Sequence, residues 1–367
     1  MRQEVKRLLR EWNMLSLKSN IGIIYALTVF MAVYAVPANA GQDETSRPQQ
    51  ELTAVPEAAY QKLHVLQGHW DNVNDAEFSP NGEYAATVSD DASLIVWNVS
   101  DGSQKFDVKF ENKANVMAAT FSPDNKYIFA GYYDKDLKGR GVQFSLKKGK
   151  MEYAASLPGV MEMDYSPDGK SLLVGYLNGG NPLSIINIKK AKKGKKKDRI
   201  VHLQGHTDMN MSAEFSPDGN LVLTAALDGN MVVWNAKSGR RKFGIKADLE
   251  DASFSPDGQY IATSSISSIK IYSAKDGEKI RTLVESTNEN LGIYELLFDV
   301  AYHPNGQTLA AASSNGTVFF FDTKTGKNIS KITNAHLDQI VSIDYNFDGS
   351  MLITGSRDDT AIIWKLK

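Results

Sequence analysis

The sequence predicts an all-β chain closed into a ring of seven four-stranded antiparallel blades, a β-propeller. Three observations carry that expectation: a turn phrase recurs seven times, the strand before each third turn is apolar on both faces, and a spare strand precedes the first copy. The phrases FSPNG, FSPDN, YSPDG, FSPDG, FSPDG, YHPNG and YNFDG begin at Phe78, Phe121, Tyr165, Phe215, Phe254, Tyr302 and Tyr345. Their spacings are 43, 44, 50, 39, 48 and 43 residues. The phrase is built as a hairpin turn: an aromatic ends one strand, Pro presets φ, Asp or Asn caps, and Gly takes a conformation that a Cβ disfavours. Each phrase therefore joins two antiparallel strands.

The elements follow in a fixed order. After the phrase come β-rich runs such as Tyr84–Val88, Leu221–Ala225 and Met351–Thr354, then apolar runs such as Leu94–Trp97 and Met231–Trp234. A third turn holds Asp101-Gly102, Ser238-Gly239, Asp276-Gly277 or Thr325-Gly326 and leads to a fourth strand such as Arg241–Ile245 or Glu278–Leu283. Four strands of about six residues and four connections of about five make a period of about 44. The run Leu94-Ile95-Val96-Trp97 lacks the alternation of a sheet with one wet face, so both its faces need cover. Sheets stacked round a closed ring supply it. In the seventh copy Ala361–Trp364 is a third strand, and Lys62–Leu66, ahead of the first copy, is expected to pair with it and close the ring.

The composition narrows the class. With 42% hydrophobic, 23% charged and 10% aromatic residues the chain is near the globular average, which excludes a disordered, collagen-like or polytopic membrane protein. Its 41 Lys and Arg face 43 Asp and Glu, and the basic excess lies in the first forty residues. The mildly acidic remainder gives no electrostatic case for nucleic acid. With no cysteine there is no disulfide framework, thiolate zinc site, cysteine nucleophile or lipidated cysteine.

Residues 1–40 read as a signal peptide. Arg2, Lys6, Arg7, Arg10 and Lys18 precede Ile21–Val36, a run without charge, and Pro37-Ala38-Asn39-Ala40 offers small residues two positions apart, with the cut after Ala40. The alternative is an uncleaved anchor, for which the apolar run is short, since crossing takes about 20 residues. Either reading exports the rest, to the periplasm or beyond, or tethered at the inner membrane. Residues 41–60, polar with two prolines, are a linker, and 61–367 form the propeller.

At this point the chain resembles the WD-repeat family. His69, His206 and His336 stand nine residues before Phe78, Phe215 and Tyr345, and 28 before Trp97, Trp234 and Trp364. Trp97-Asn98 and Trp234-Asn235 occupy the family's Trp-Asp place, and Phe321-Asp322 matches in part. The resemblance implies a hydrogen-bonded chain of His, Asp, a hydroxyl and Trp inside the blade. Carried across, it joins His69, Ser89, Asp91 and Trp97 in the first copy, and His336, Ser356, Asp358 and Trp364 in the seventh. In the fourth, His206, Asp228 and Trp234 match, and Ala226 breaks the chain. Phe144, Ile186 and Tyr272 stand in for Trp in the second, third and fifth copies, and the sixth keeps Asn315 as a turn residue.

A His-Asp pair beside a serine also invites a catalytic reading. Nucleophilic catalysis needs an exposed hydroxyl and an oxyanion site, whereas groups repeated at one place in several copies belong inside, so the expected role is structural. Asp134-Lys135-Asp136 opens like a calcium loop, yet its fifth position is Lys138 and its twelfth Ser145. His202 and His206 are spaced as helical metal ligands but lie in a strand and its following turn. No catalytic residue, metal or cofactor is assigned.

Two insertions bear on partners. Lys189–Arg199 (KKAKKGKKKDR) lengthens the connection between third and fourth strands of the third copy. It reads as a solvated turn or as a contact for an anionic lipid, polysaccharide or protein. Glu285–Glu295 lengthens the entry to the sixth copy on the face of the His-bearing loops. Trp70 follows Gly68-His69, Leu337 holds the same place in the seventh copy, and Trp70 is either an exposed anchor or buried against the next blade. Trp70, Asp71, Glu289, Tyr294 and Leu337 are the candidate partner-binding residues. The expected function is a non-enzymatic protein-interaction scaffold of the bacterial cell envelope. The alternative is an envelope enzyme or ligand-binding propeller, resembling the lactonase or Tol-type propellers that share FSPDG-like turns.

Overall fold

The computed structural model describes residues 58–111, 114–136, 138–177, 183–192, 200–246, 250–265, 268–285 and 296–367. The expected leader and most of the expected linker lie outside them. The described strands form seven four-stranded antiparallel sheets. Blade one is Val73–Phe78, Tyr84–Ser89, Ser93–Asn98 and Gln104–Lys109, each strand paired to the next, and blades two to six repeat the pattern. The seventh is closed from the front of the chain: Tyr60–Gln67 pairs antiparallel with Thr360–Leu366, from Tyr60 opposite Leu366 to Gln67 opposite Thr360. The strand is longer at both ends than the expected Lys62–Leu66.

Every junction between neighbouring blades holds an apolar layer. The third strand shows why a run without alternation fits: Leu94 and Val96 pack towards blade two with Val116, Ile128 and Phe144, while Ile95 and Trp97 pack towards blade seven with Leu66, Ile353 and Ile363. Leu66, fully buried, ties the closing strand into that second layer.

The turn phrase acts through its own side chains. In blade four, Ser216 Oγ donates to Asp218 Oδ1 at 2.6 Å, Asp218 Oδ1 accepts from Asn220 N at 3.0 Å, and Leu221 N donates to Ser216 Oγ at 2.9 Å. Gly219 takes φ +71, the left-handed region open to glycine. The second copy, FSPDN, puts Asn125 there at φ 54, a residue that tolerates this region.

The innermost strands touch one another in order round the ring, ending with Ile340–Tyr345 against Val73–Phe78. Each is a sheet edge, so its outward N–H groups need acceptors. In every blade but the third, carboxylates from the preceding blade supply them. Glu77 accepts from Phe121 N at 2.6 Å and Asp75 from Ala119 N at 3.1 Å, joining blades one and two. Asp164 accepts from Phe215 N at 2.7 Å, and Glu214 accepts from Phe254 N. Asp251 takes Val300 N at 3.2 Å, Asp299 takes Ile343 N at 2.8 Å, and Asp344 returns to Phe78 N at 2.9 Å. A register shift between Val73 and Asp75 sets the phase of the first of these strands, and matching shifts occur in blades two, three, four, six and seven. Such a bulge re-aims side chains. Here it leaves Val73 and Ala76 together against blade seven while Asp75 and Glu77 reach blade two.

Candidate interaction face

The face that carries the His loops is fixed from inside the blades. Blade one holds a continuous donor chain: Trp97 Nε1 donates to Thr87 Oγ1 at 2.9 Å, Thr87 Oγ1 meets His69 Nε2 at 2.7 Å, and His69 Nδ1 meets Asp91 Oδ2 at 3.2 Å. Blade seven repeats it with Trp364, Thr354, His336 and Asp358, at 3.0, 2.7 and 3.1 Å. Every donor finds one acceptor when the imidazole carries its proton on Nδ1 and faces an ionised Asp.

The bridging hydroxyl is thus Thr87 and Thr354, not Ser89 and Ser356. Ser89 and Thr87 share a face of their strand, but Trp97 lies opposite Ala85, and the indole reaches the diagonal neighbour, one step along that face. Ser89 sits at the strand's end, donating to Asp71 O at 2.9 Å and accepting from Asp91 N at 3.0 Å. Ser356 is placed alike, with Asp358 N at 3.1 Å. For the same reason Ala226 breaks nothing in blade four. Thr224 bridges Trp234 Nε1 and His206 Nε2, both at 2.8 Å, and His206 Nδ1 meets Asp228 Oδ2 at 3.0 Å.

Burial alone would push the Asp91 carboxyl up, but hydrogen bonds from His69 and Ser93, with the charge of Lys109, hold it well below the ordinary value. Asp358 is likewise held low against burial by His336, Thr360 and Leu337 N. Asp228 is lowered against burial by Thr207 N, Asn230 and His206, and burial lowers His206 itself, keeping it neutral.

These carboxylates also set the surface. Asp91 Oδ2 accepts from Trp70 N at 3.3 Å, Asp228 Oδ2 from Thr207 N at 2.9 Å and Asp358 Oδ2 from Leu337 N at 2.9 Å. The residue after each histidine is pinned by its backbone, and its side chain points out. Trp70 is 70% exposed and Leu337 97% exposed, so Trp70 stands as a surface residue rather than packing against the next blade. Blades seven and one are neighbours, which places the two on adjoining sectors of one face. Lys109 Nζ lies 5.7 Å from the Trp70 ring centroid, and Asp71 is exposed beside it.

Glu289 and Tyr294 lie outside the described residues, as do residues 193–199 of the basic run. The start of that run is a short helix, Ile188–Lys192, with Lys192 Nζ 5.2 Å from the Tyr127 ring centroid. Among the described residues no group of three or more His, Cys, Asp or Glu is placed to hold a metal ion. Reading by motif missed Thr87, Thr224, Thr354 and all the axial carboxylates. The signal for the last was an acid one or three positions before the turn aromatic, as in Asn74-Asp75-Ala76-Glu77-Phe78.

A family model described as WD domain, G-beta repeat matches residues 60–98, 105–138, 197–235, 291–322 and 326–365. A guanine nucleotide-binding protein subunit beta of Oryza sativa subsp. japonica is 23% identical over 319 residues, covering 82% of each chain. The WD repeat-containing protein SL1-17 of Schistosoma mansoni is 26% identical over 180 residues, 48% of this chain and 55% of that protein. Apoptotic protease-activating factor 1 of Danio rerio is 23% identical over 317 residues, 82% of this chain and 23% of that protein. Seven blades, three His-Thr-Trp networks and these matches place the chain in the WD domain, G-beta repeat family.

Proposed function

We propose that this propeller is a non-enzymatic scaffold of the bacterial cell envelope that binds a protein partner on the face of its His-bearing loops. The observation that carries the reading is the pair Trp70 and Leu337, exposed on adjoining blades while their backbones are fixed by Asp91 and Asp358. A preformed surface loses little ordering entropy on association, and an exposed Trp is a strong anchor at an interface. The hydroxyls of the His networks are buried and shared by imidazole and indole, which leaves them no role as nucleophiles.

The envelope placement rests on the leader sequence: export of residues 41–367 after a cut behind Ala40, or retention at the inner membrane if the leader stays. Among the described residues no helix is long and apolar enough to cross a membrane. The Lys189–Arg199 run adds a contact for an anionic partner. The test is crosslinking in cells followed by purification from the envelope fraction, comparing wild type with Trp70→Ala and Leu337→Ala. A crosslinked protein recovered with wild type and lost with either variant supports the face, and equal recovery removes it. N-terminal sequencing of the exported chain reads the cut directly, and a start other than Gly41 rejects it.

A further inference from the structure

Seven carboxylates in the innermost strands cap the N–H groups of the next blade, and Glu162 joins them on the innermost strand of blade three, near enough to Asp75 and Asp251 to feel their charges. The innermost strands contain no Lys, Arg or His. Glu77 faces Asp75, Asp344 and Asp164. Glu214 faces Asp164 and Asp251, and Asp299 lies within hydrogen-bonding reach of Asp251, with Asp75 beyond. Blade two contributes only Ala118 and Thr120 at the matching places. Like charges are thus gathered on the innermost strands, which offer them no basic side chain.

We propose that the axial carboxylates Glu77, Glu162, Asp164, Glu214, Asp299 and Asp344 are a proton-loaded girdle, which tightens the ring as pH falls through neutrality and loosens it as pH rises. A protonated carboxyl keeps a carbonyl oxygen, so it still accepts the N–H of the next blade; protonation removes the repulsion and spares the bond. These carboxylates are half-buried, with only part of each side chain open to water. Burial pushes Asp164 and Asp344 up to about 7, and raises Glu77, Glu162 and Glu214 well above their ordinary value. Asp299 is raised by burial and by the charge of Asp251. A folded chain that binds protons the unfolded chain has released is stabilised in full below about pH 4, and loses that stability as pH climbs through about 7.

The experiment is equilibrium urea unfolding of the full chain at about pH 5 and about pH 8, with wild type, Glu77→Gln, Asp344→Asn and Glu77→Ala. The wild-type midpoint is expected to be lower at the higher pH. Glu77→Gln and Asp344→Asn, which keep an acceptor and lose a charge, are expected to match wild type at the lower pH and exceed it at the higher. Glu77→Ala strands Phe121 N and is expected to be weaker at both. A second reading needs no variant: unfolding at about pH 6 should release protons to the buffer. A wild-type midpoint that is flat or rises between the two pH values, amide variants that keep the wild-type dependence, or proton uptake on unfolding would overturn the proposal.

Discussion

Replacing Thr87 by Val tests the claim that one threonine hydroxyl holds each His network together. Val has nearly the volume of Thr, so no cavity opens, and the change removes a single oxygen that serves two partners. Trp97 Nε1 and His69 Nε2, at 2.9 and 2.7 Å from that oxygen, both lose it inside a blade where Thr87 and Trp97 are almost fully buried. A stranded buried polar group costs about 1–3 kcal/mol, so two together are expected to cost about 2–6 kcal/mol. Thr263 is the internal control. It holds the same register position in blade five, but Tyr272 replaces the Trp, and the Thr263 hydroxyl donates to Lys270 O at 3.4 Å. Thr263→Val is therefore expected to cost less than about 1 kcal/mol. Urea unfolding followed by far-ultraviolet circular dichroism gives both numbers under one condition, and combining Thr87→Val with Trp97→Phe should show strong non-additivity because the two share one bond. If Thr87→Val falls within about 0.5 kcal/mol of Thr263→Val, the hydroxyl is not the keystone and the network argument fails.

Three further outcomes follow from the geometry. Gly316 has φ +75 and an added Cβ would sit 2.3 Å from His336 O, so Gly316→Ala should lower the melting temperature well beyond Gly306→Ala, where φ is +70 but nothing lies within 4 Å and only strain of about 1–2 kcal/mol is paid. Leu66→Ala should cost about 2–5 kcal/mol and make the Tyr60–Gln67 strand the first site of limited proteolysis, since Leu66 anchors it between blades seven and one. Asp91 is held below its ordinary value of 3.8, so it stabilises the fold above about pH 4 and that contribution is lost as pH falls; Asp91→Asn should be weaker at neutral pH and flatter in an acid titration followed by circular dichroism.

The ring was legible because its signals are local. FSPDG sets a turn through bonds between residues two to five apart, as from Ser216 to Leu221, and no tertiary context is needed to read it. Leu94–Trp97 announced two covered faces because consecutive residues turn to opposite neighbours. What failed needed a third dimension. Thr87 and Ser89 are equivalent to a pattern of period two, and only the register of Trp97 against Ala85 distinguishes them. Glu77 and Asp344 look like solvated charges in a strand, and only the ring brings each to a backbone N–H that lies 44 residues ahead or 266 residues back along the chain.

The two sets of carboxylates divide the labour of the blade, and that division decides which variants can test binding. Asp91 and Asp358 each accept from a buried imidazole and from the backbone N of the exposed residue beside it. A change at either therefore releases Trp70 or Leu337 from its fixed place and weakens the fold together. Loss of partner on Asp91→Asn would thus report on positioning, not on a contact. Truncation of Trp70 or Leu337 leaves the networks intact, because their backbone N–H groups remain, and removes only side chains that the solvent already reaches. A partner lost on Trp70→Ala with the urea midpoint unchanged is consequently the one result that assigns the contact to the surface rather than to the frame beneath it.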